Sequence, residues 1–157
     1  MEQTRRVFLK RSLTASAIGA AVGAGLLNPR SAFADAWPEK AFMSTNYKEV
    51  MKMIDGADTA ESGHVTIQAP DIAENGAVVP VTMSSDLDNV VSLTLYTPQN
   101  PFPLNSTYEF SHGALPYASF RIKLAKTMPI TAVARTADGK LYSATKQVKV
   151  TIGGCGG

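Results

Sequence analysis

Residues 129–152 decide the fold, and they read PITAVARTADGKLYSATKQVKVTI. In two parts of this stretch apolar and polar residues alternate, which is the period of a β-strand with one face in a core. Between the two parts lies Asp138-Gly139, a dipeptide typical of tight hairpin turns. The sequence therefore predicts a hairpin of strands 130–136 and 141–148, and the second strand can extend to Ile152.

The residues upstream of this hairpin supply further short strands. Val65, Ile67 and Ala69 alternate with polar residues until Pro70 ends the run. Short strands separated by turns, without interleaved helices, favour a mainly β protein: an immunoglobulin-like antiparallel β-sandwich of two sheets. An antibody-type domain is excluded because the chain lacks a cysteine pair. The candidate strands ahead of the hairpin are 65–69, 77–83, 90–97, 108–111 and 118–124.

A short N-terminal helix precedes the strands. Asn46 is a suitable N-cap, Glu49 follows three residues later, and the pattern stops before Gly56. The apolar residues Tyr47, Val50, Met51 and Ile54 have helical spacing, which is typical of a face packed on a core.

One predicted strand is more apolar than a half-exposed strand needs to be. Val90, Val91, Leu93, Leu95 and Tyr96 put apolar side chains on both of its faces. Either a partner protein or the N-terminal helix covers the second face, and the sequence leaves these alternatives open.

The chain opens with a pattern typical of export signals. Arg5 and Arg6 are followed by a hydrophobic pair and a lysine, which is the twin-arginine pattern. The apolar run 13–27 and the small-x-small site ending at Ala34 then predict a signal peptide, residues 1–34, that is cleaved. A single β-sandwich domain, residues 35–152, follows, and we expect no membrane anchor after cleavage.

Charge argues against nucleic-acid binding once the signal is removed. The full chain has 15 basic and 13 acidic residues, and residues 1–34 hold five of the basic and one of the acidic residues. The remaining 10 basic and 12 acidic residues give a formal charge of −2. A nucleic-acid surface requires clustered Lys and Arg with interleaved aromatics, whereas these cations are scattered along the chain.

The last five residues are an unusual setting for the chain's single cysteine. Gly153, Gly154, Gly156 and Gly157 surround Cys155, and glycine loses the most backbone entropy on ordering. We therefore predict a flexible arm, residues 153–157, with an average reach of about 12 Å and about 17 Å when extended. A lone thiol on such an arm suits a covalent carrier rather than an enzyme, because no base is held beside it. We expect no cofactor and no metal site.

Two histidines and two aspartates are weaker candidates. His64 and His112 have no metal-ligand spacing, so structural roles are expected for both. Asp86 and Asp88 begin a run that lacks the later carboxylate of a calcium loop, which favours a turn before the strand.

These residues together resemble a known family. The twin-arginine signal, the small β domain, the segment 70–81 (PDIAENGAVVPV) and the terminal Gly-Gly-Cys-Gly-Gly are similar to SoxY, the sulfur carrier of the bacterial thiosulfate-oxidising Sox system. The resemblance implies that Cys155 bears thiosulfate-derived sulfur in the periplasm. It also implies a heterodimer with SoxZ and transient visits to SoxXA, SoxB and SoxCD, which perform the chemistry.

Other interpretations of the terminal segment remain open. Cys155 is also suited to a disulfide-linked homodimer, as unpaired exported cysteines often are. A terminal Gly-Gly is also similar to ubiquitin-like sulfur carriers, which load the carboxylate that Gly157 would supply. A further alternative is an exported adhesion or chaperone-like binding domain whose tail is incidental.

Overall fold

The computed structural model describes residues 38–54, 59–111 and 113–152. The signal peptide, the terminal arm and His112 lie outside these ranges. The described chain begins with helices α1 (Glu39–Met43) and α2 (Tyr47–Ile54). The strands that follow are β1 (Ala60–Glu61), β2 (Val65–Gln68), β3 (Ile72–Asn75), β4 (Val79–Ser85), β5 (Val90–Tyr96), β6 (Leu104–Glu109), β7 (Tyr117–Ile122), β8 (Met128–Thr136) and β9 (Leu141–Ile152).

Two sheets form a sandwich, which confirms the predicted fold class. The larger sheet has the order β1-β9-β8-β5-β6, and β3 lies on the same edge of β9 as β1. The smaller sheet has the order β2-β4-β7. Most neighbouring strands are antiparallel, as predicted, but β1 and β3 each run parallel to β9. None of the helices in the described ranges is long and apolar enough to cross a membrane.

The predicted hairpin is confirmed as the pair β8 and β9. The strands pair without interruption from Arg135 opposite Leu141 to Met128 opposite Val148. Gly139 has a φ of 82°, a left-handed conformation that glycine adopts without steric cost. A hydrogen bond from Lys140 lowers the pKa of the Asp138 carboxyl to about 2, and the two side chains form an exposed ion pair within the turn.

The core lies between the sheets and consists of aliphatic side chains. Leu93 and Leu95 of β5, Ile130 of β8 and Val148 of β9 are fully buried from the side of the larger sheet. The smaller sheet contributes Val79, Val81 and Met83.

The two helices cover the outer face of the larger sheet, which decides between the two alternatives for strand β5. Val50 of α2 and Ala41 of α1 are buried in a second cluster with Tyr96 and Val133. The ring of Tyr47 meets the ring of Tyr96 edge-on, with centroids 5.8 Å apart. The N-terminal helices therefore cover the apolar face of β5 at Tyr96, whereas Val91 stays 36% exposed.

The predicted N-cap of α2 is confirmed. The Asn46 side-chain oxygen accepts hydrogen bonds from the backbone N–H groups of Lys48 (3.1 Å) and Glu49 (3.4 Å). These bonds satisfy two N–H groups that have no partner within the first turn of a helix.

Several elements were not predicted, for a common physical reason. Helix α1 has five residues, and β1 and β3 have two and four, so none is long enough for a period to emerge. Strand β6 begins at Leu104 rather than Tyr108, because its first half is the polar run Asn105-Ser106-Thr107 at a sheet edge.

Two adjacent valines allow a matched test of the core. Val79 is fully buried between the sheets, whereas Val78 is 55% exposed. We expect Val79→Ala to lower the free energy of unfolding by about 2 kcal/mol, from lost apolar burial and the cavity left behind. Val78→Ala should change it by less than about 0.5 kcal/mol. Urea unfolding measures both, and equal losses would contradict the described burial.

Candidate functional site at the root of the terminal arm

The predicted site residues at both termini lie outside the described residues. These are Arg5, Arg6 and Ala34 of the signal, and Cys155 with Gly153, Gly154, Gly156 and Gly157 of the arm. The structure does describe the chain as far as Ile152, three residues before the cysteine. We refer to residues 149–152 as the arm root, and its surroundings are the candidate site.

The arm root has different partners from the rest of β9. Pairing with β8 ends where Met128 faces Val148, so the last four residues of β9 extend beyond that strand. Strand β3 runs parallel to them on the opposite edge. Its register places Ile72 by Lys149, Ala73 by Val150, and Asn75 by Ile152.

Hydrogen bonds join both ends of the arm root to the chain around β3. The Lys149 N–H donates to the Asp71 carbonyl oxygen over 2.9 Å, and the Gly76 N–H donates to the Ile152 carbonyl oxygen over 2.7 Å. Between them the Thr151 hydroxyl donates to the Glu74 carbonyl oxygen over 2.7 Å. The last carbonyl oxygen described before the arm is therefore fixed in place.

The loop that leads into β8 holds the other side of the arm root. The Thr127 Oγ1 accepts a hydrogen bond from the Val150 N–H over 2.9 Å. This hydroxyl takes the place of the backbone partner that Val150 would have if β8 were longer. The Leu124 N–H donates to the Gly76 carbonyl oxygen over 2.7 Å, and the Leu124 side chain is fully buried. One hydrogen-bonded chain thus links this loop, Gly76 and Ile152.

A side chain that sequence reasoning missed braces this loop. The Asn100 amide donates to the Lys123 carbonyl oxygen over 2.7 Å, and its oxygen accepts from the Ala125 N–H over 2.9 Å. The only sequence signal is an asparagine between prolines, in Pro98-Gln99-Asn100-Pro101, which indicates a turn but not its partner.

Positive charge accompanies the arm root. Lys123 and Lys126 are exposed residues of the loop that leads into β8, and Lys149 is an exposed residue of the arm root itself. The exposed acids Asp71 and Glu74 lie alongside, and Asp71 forms an ion pair with Lys146 at 3.0 Å. Lys123 and Lys126 lie more than 20 positions before Lys149 in the sequence, and the fold brings their loop beside the arm root.

The other candidate residues lie at the opposite end of the sandwich. His64 Nδ1 is 2.8 Å from Asp86 Oδ1 on the surface, and the His64 carbonyl oxygen accepts from the Asp86 N–H over 3.2 Å. Asp88 and Asn89 form a turn before β5, as predicted. In the ranges that the structure describes, no three His, Cys, Asp or Glu residues come together as metal ligands would.

Comparison with known proteins identifies the family. Residues 50–155, about two thirds of the chain, match the family model described as sulfur oxidation protein SoxY. The chain belongs to the SoxY family. The family places it in sulfur oxidation, and the matched region includes both the segment 70–81 and Cys155.

A solved SoxY structure has the same fold. The sulfur carrier protein SoxY from Chlorobium limicola f. thiosulfatophilum is 35% identical, with a TM-score of 0.60, covering 66% of this chain and 94% of that one. A superoxide reductase (neelaredoxin) from Ignicoccus hospitalis is 23% identical, with a TM-score of 0.49, covering 55% of this chain and 79% of that one. That second likeness supports no functional argument. No curated protein matches the chain.

The fold pairs segment 70–81 with the arm root, which lies more than 60 positions later in the sequence. Segment 70–81 contains β3 and Gly76, and these are the groups that pair with the arm root. One of the features on which the resemblance depends, segment 70–81, therefore pairs with the last described residues before the terminal Gly-Gly-Cys-Gly-Gly.

Thr127 offers a local test of the arm root. Thr127→Val removes the hydroxyl that accepts the Val150 N–H, so the Val150 amide should exchange with solvent roughly five- to tenfold faster. Thr127→Ser keeps the hydroxyl and should leave the exchange near its original rate. NMR-detected hydrogen exchange measures both, with Ala132 in the middle of β8 as the internal reference. Unchanged protection in the valine variant would show that Thr127 does not hold the root.

Proposed function

We propose that this chain is a periplasmic sulfur carrier that holds thiosulfate-derived sulfur covalently on Cys155 and presents it to Sox enzymes. The observation that carries the proposal is the SoxY family match, which runs from residue 50 through Cys155, the only cysteine of the chain. The Chlorobium relative is itself a sulfur carrier protein. In this proposal the chain catalyses no step and supplies the covalent scaffold.

The proposed loading step is an oxidative coupling. The Cys155 thiol loses its proton, and its sulfur forms a bond to the outer sulfur of thiosulfate. Two electrons leave in this step and pass to the oxidising partner, SoxXA. The product is a cysteine S-thiosulfonate, a linkage that other enzymes can open because its sulfur–sulfur bonds are reactive toward nucleophiles.

The later steps return the carrier to its free state. SoxB uses water to release the terminal sulfonate as sulfate, which leaves a persulfide on Cys155. SoxCD then oxidises the remaining outer sulfur to a sulfonate, with three oxygen atoms taken from water and six electrons passed to its electron acceptor. A second hydrolysis releases that group as sulfate and frees the thiol. A narrow arm of glycines suits this sequence, because no side chain beside the thiol obstructs entry to successive active sites.

The charge at the arm root supports an anionic cargo. Thiosulfate and its cysteine adduct are both negatively charged, and around the place where the arm begins the exposed Lys123, Lys126 and Lys149 outnumber the exposed acids Asp71 and Glu74. Clustered charge of the opposite sign raises the local concentration of a small anion. The mature chain has a net charge of −2, so this charge is local rather than general.

Cys155→Ser tests the site of loading directly. With thiosulfate and the reconstituted Sox partners, the native chain should gain mass by a thiosulfate unit or by whole sulfur atoms. Cys155→Ser should gain none, since it removes the chain's only thiol. Intact-mass spectrometry measures both, and a thiol reductant should reverse the gain.

The same experiment separates the alternatives. Adducts that survive in Cys155→Ser would indicate loading of the Gly157 carboxylate. Thiosulfate oxidation that continues undiminished with Cys155→Ser would favour an adhesion or chaperone-like domain with an incidental tail. Urea unfolding of the variant, expected to match the native chain, is the control for folding.

We also propose that residues 1–34 direct export through the twin-arginine pathway and that SoxZ travels with this chain as a preformed heterodimer. That pathway moves folded proteins, so one signal can serve two subunits. Changing Arg5 and Arg6 together to lysine should leave both subunits in the cytoplasm. Fractionation of cells that make SoxZ with the native or the altered chain measures this, and SoxZ exported without a partner would contradict it.

A further inference from the structure

The arm root depends on β3 because β8 ends too early to hold it. Pairing between β8 and β9 stops at Met128 and Val148, so the four residues of the root have β3 on one edge and only the Thr127 hydroxyl on the other. We call residues 71–76 the β3 strap. Without the strap, β9 beyond Val148 would keep the hydrogen bond from the Val150 N–H to the Thr127 hydroxyl, and once that bond also opens the anchor of the arm moves from Ile152 to Val148.

The β3 strap is lightly built. Within the strap only Ala73 and Gly76 are buried, and Ile72 is 58% exposed. Apart from its bonds to the arm root, the strap accepts a hydrogen bond at the Gly76 carbonyl oxygen from the Leu124 N–H. The ion pair between Lys146 and Asp71 adds little, since the Asp71 side chain is 89% exposed and such pairs are screened by water and salt. Edge segments with few buried contacts are those that open first in a native protein.

We propose that the β3 strap sets the reach of Cys155, giving the arm a short form when it is paired and a long form when it is released. From Ile152 the three residues to Cys155 span at most about 10 Å. From Val148 the seven residues to Cys155 span at most about 24 Å. The strap therefore controls more than half of the available reach.

The use that we assign to the two forms rests on the proposed carrier function. The difference in reach between them does not depend on that function. A carrier that serves several enzymes meets active sites of different depths, and a shallow site requires only the short form. A site deeper than about 10 Å requires the strap to open. Asp71, Gly76 and Thr151 are thus positioning residues for Cys155, acting through the backbone that bears it.

Disulfide formation with a second cysteine measures the reach. Thr145 is an exposed residue of β9, seven positions before Ile152 and so about 23 Å from it along the strand. With the strap paired, Cys155 cannot reach that position. With the strap released, the anchor at Val148 is only about 10 Å from it. A cysteine introduced by Thr145→Cys therefore reports the long form.

Val78→Cys is the positive control for disulfide formation. Val78 is exposed and lies two residues after Gly76, which bonds to the Ile152 carbonyl oxygen. A cysteine there lies within reach of Cys155 in both forms, so its disulfide should close whether or not the strap is weakened.

Asp71→Ala with Thr151→Val weakens the strap, because it removes the ion pair to Lys146 and the hydroxyl that bonds to the Glu74 carbonyl oxygen. The matched control is Asp138→Ala with Thr82→Val. It removes one exposed Asp–Lys ion pair, the hydrogen bond from the Thr136 hydroxyl to the same carboxylate, and one exposed threonine hydrogen bond, all away from the strap.

We expect the disulfide from Thr145→Cys to close at least tenfold faster in the weakened background than in the native or control background. Equal rates in all three backgrounds would overturn the proposal, whether the disulfide closes or stays open. If the double variant loses cooperative unfolding, Thr151→Val alone replaces it under the same expectations. Thiosulfate loading of the native chain is scored separately by intact mass, so a failed carrier function and a failed strap give different results.

Discussion

The structure depends on the way the last strand, β9, satisfies its two edges over twelve residues. Along most of its length β8 pairs with one edge, and that pairing defines the larger sheet on which the helices and the core are assembled. β8 pairs no further than Val148, so the backbone groups of residues 149–152 would need water as their hydrogen-bond partner if nothing else paired with them. β3 and Thr127 supply the missing partners, so ordered strand continues to Ile152.

The parts of the fold that the sequence predicts are those encoded by local patterns. The β8–β9 hairpin follows from two alternating runs around Asp138-Gly139, and α2 follows from Asn46 and an apolar stripe. The alternatives for the second face of β5 were decided only by the structure, because which helix packs on which sheet is a property of the whole fold. There α2 places Val50 against Tyr96.

The surroundings of the arm root were largely beyond prediction from the sequence. β3 is a four-residue strand paired in parallel with residues more than 70 positions later, and neither length nor period signals such a pair. Asn100 and Thr127 act through side-chain hydrogen bonds to distant backbone groups, for which residue type gives no partner. The terminal cysteine, by contrast, was evident at once, because its glycine neighbours have little structural use.

The family match and the structure both draw attention to segment 70–81 and the end of β9. The SoxY match includes segment 70–81 and Cys155, and the fold pairs that segment with the strand that leads to the cysteine. The most direct test of the account is the intact mass of the chain purified from cells oxidising thiosulfate. We expect a population heavier by whole sulfur atoms or a thiosulfate unit, with the added mass mapped to Cys155. An unmodified chain, or added mass on another residue, would contradict it.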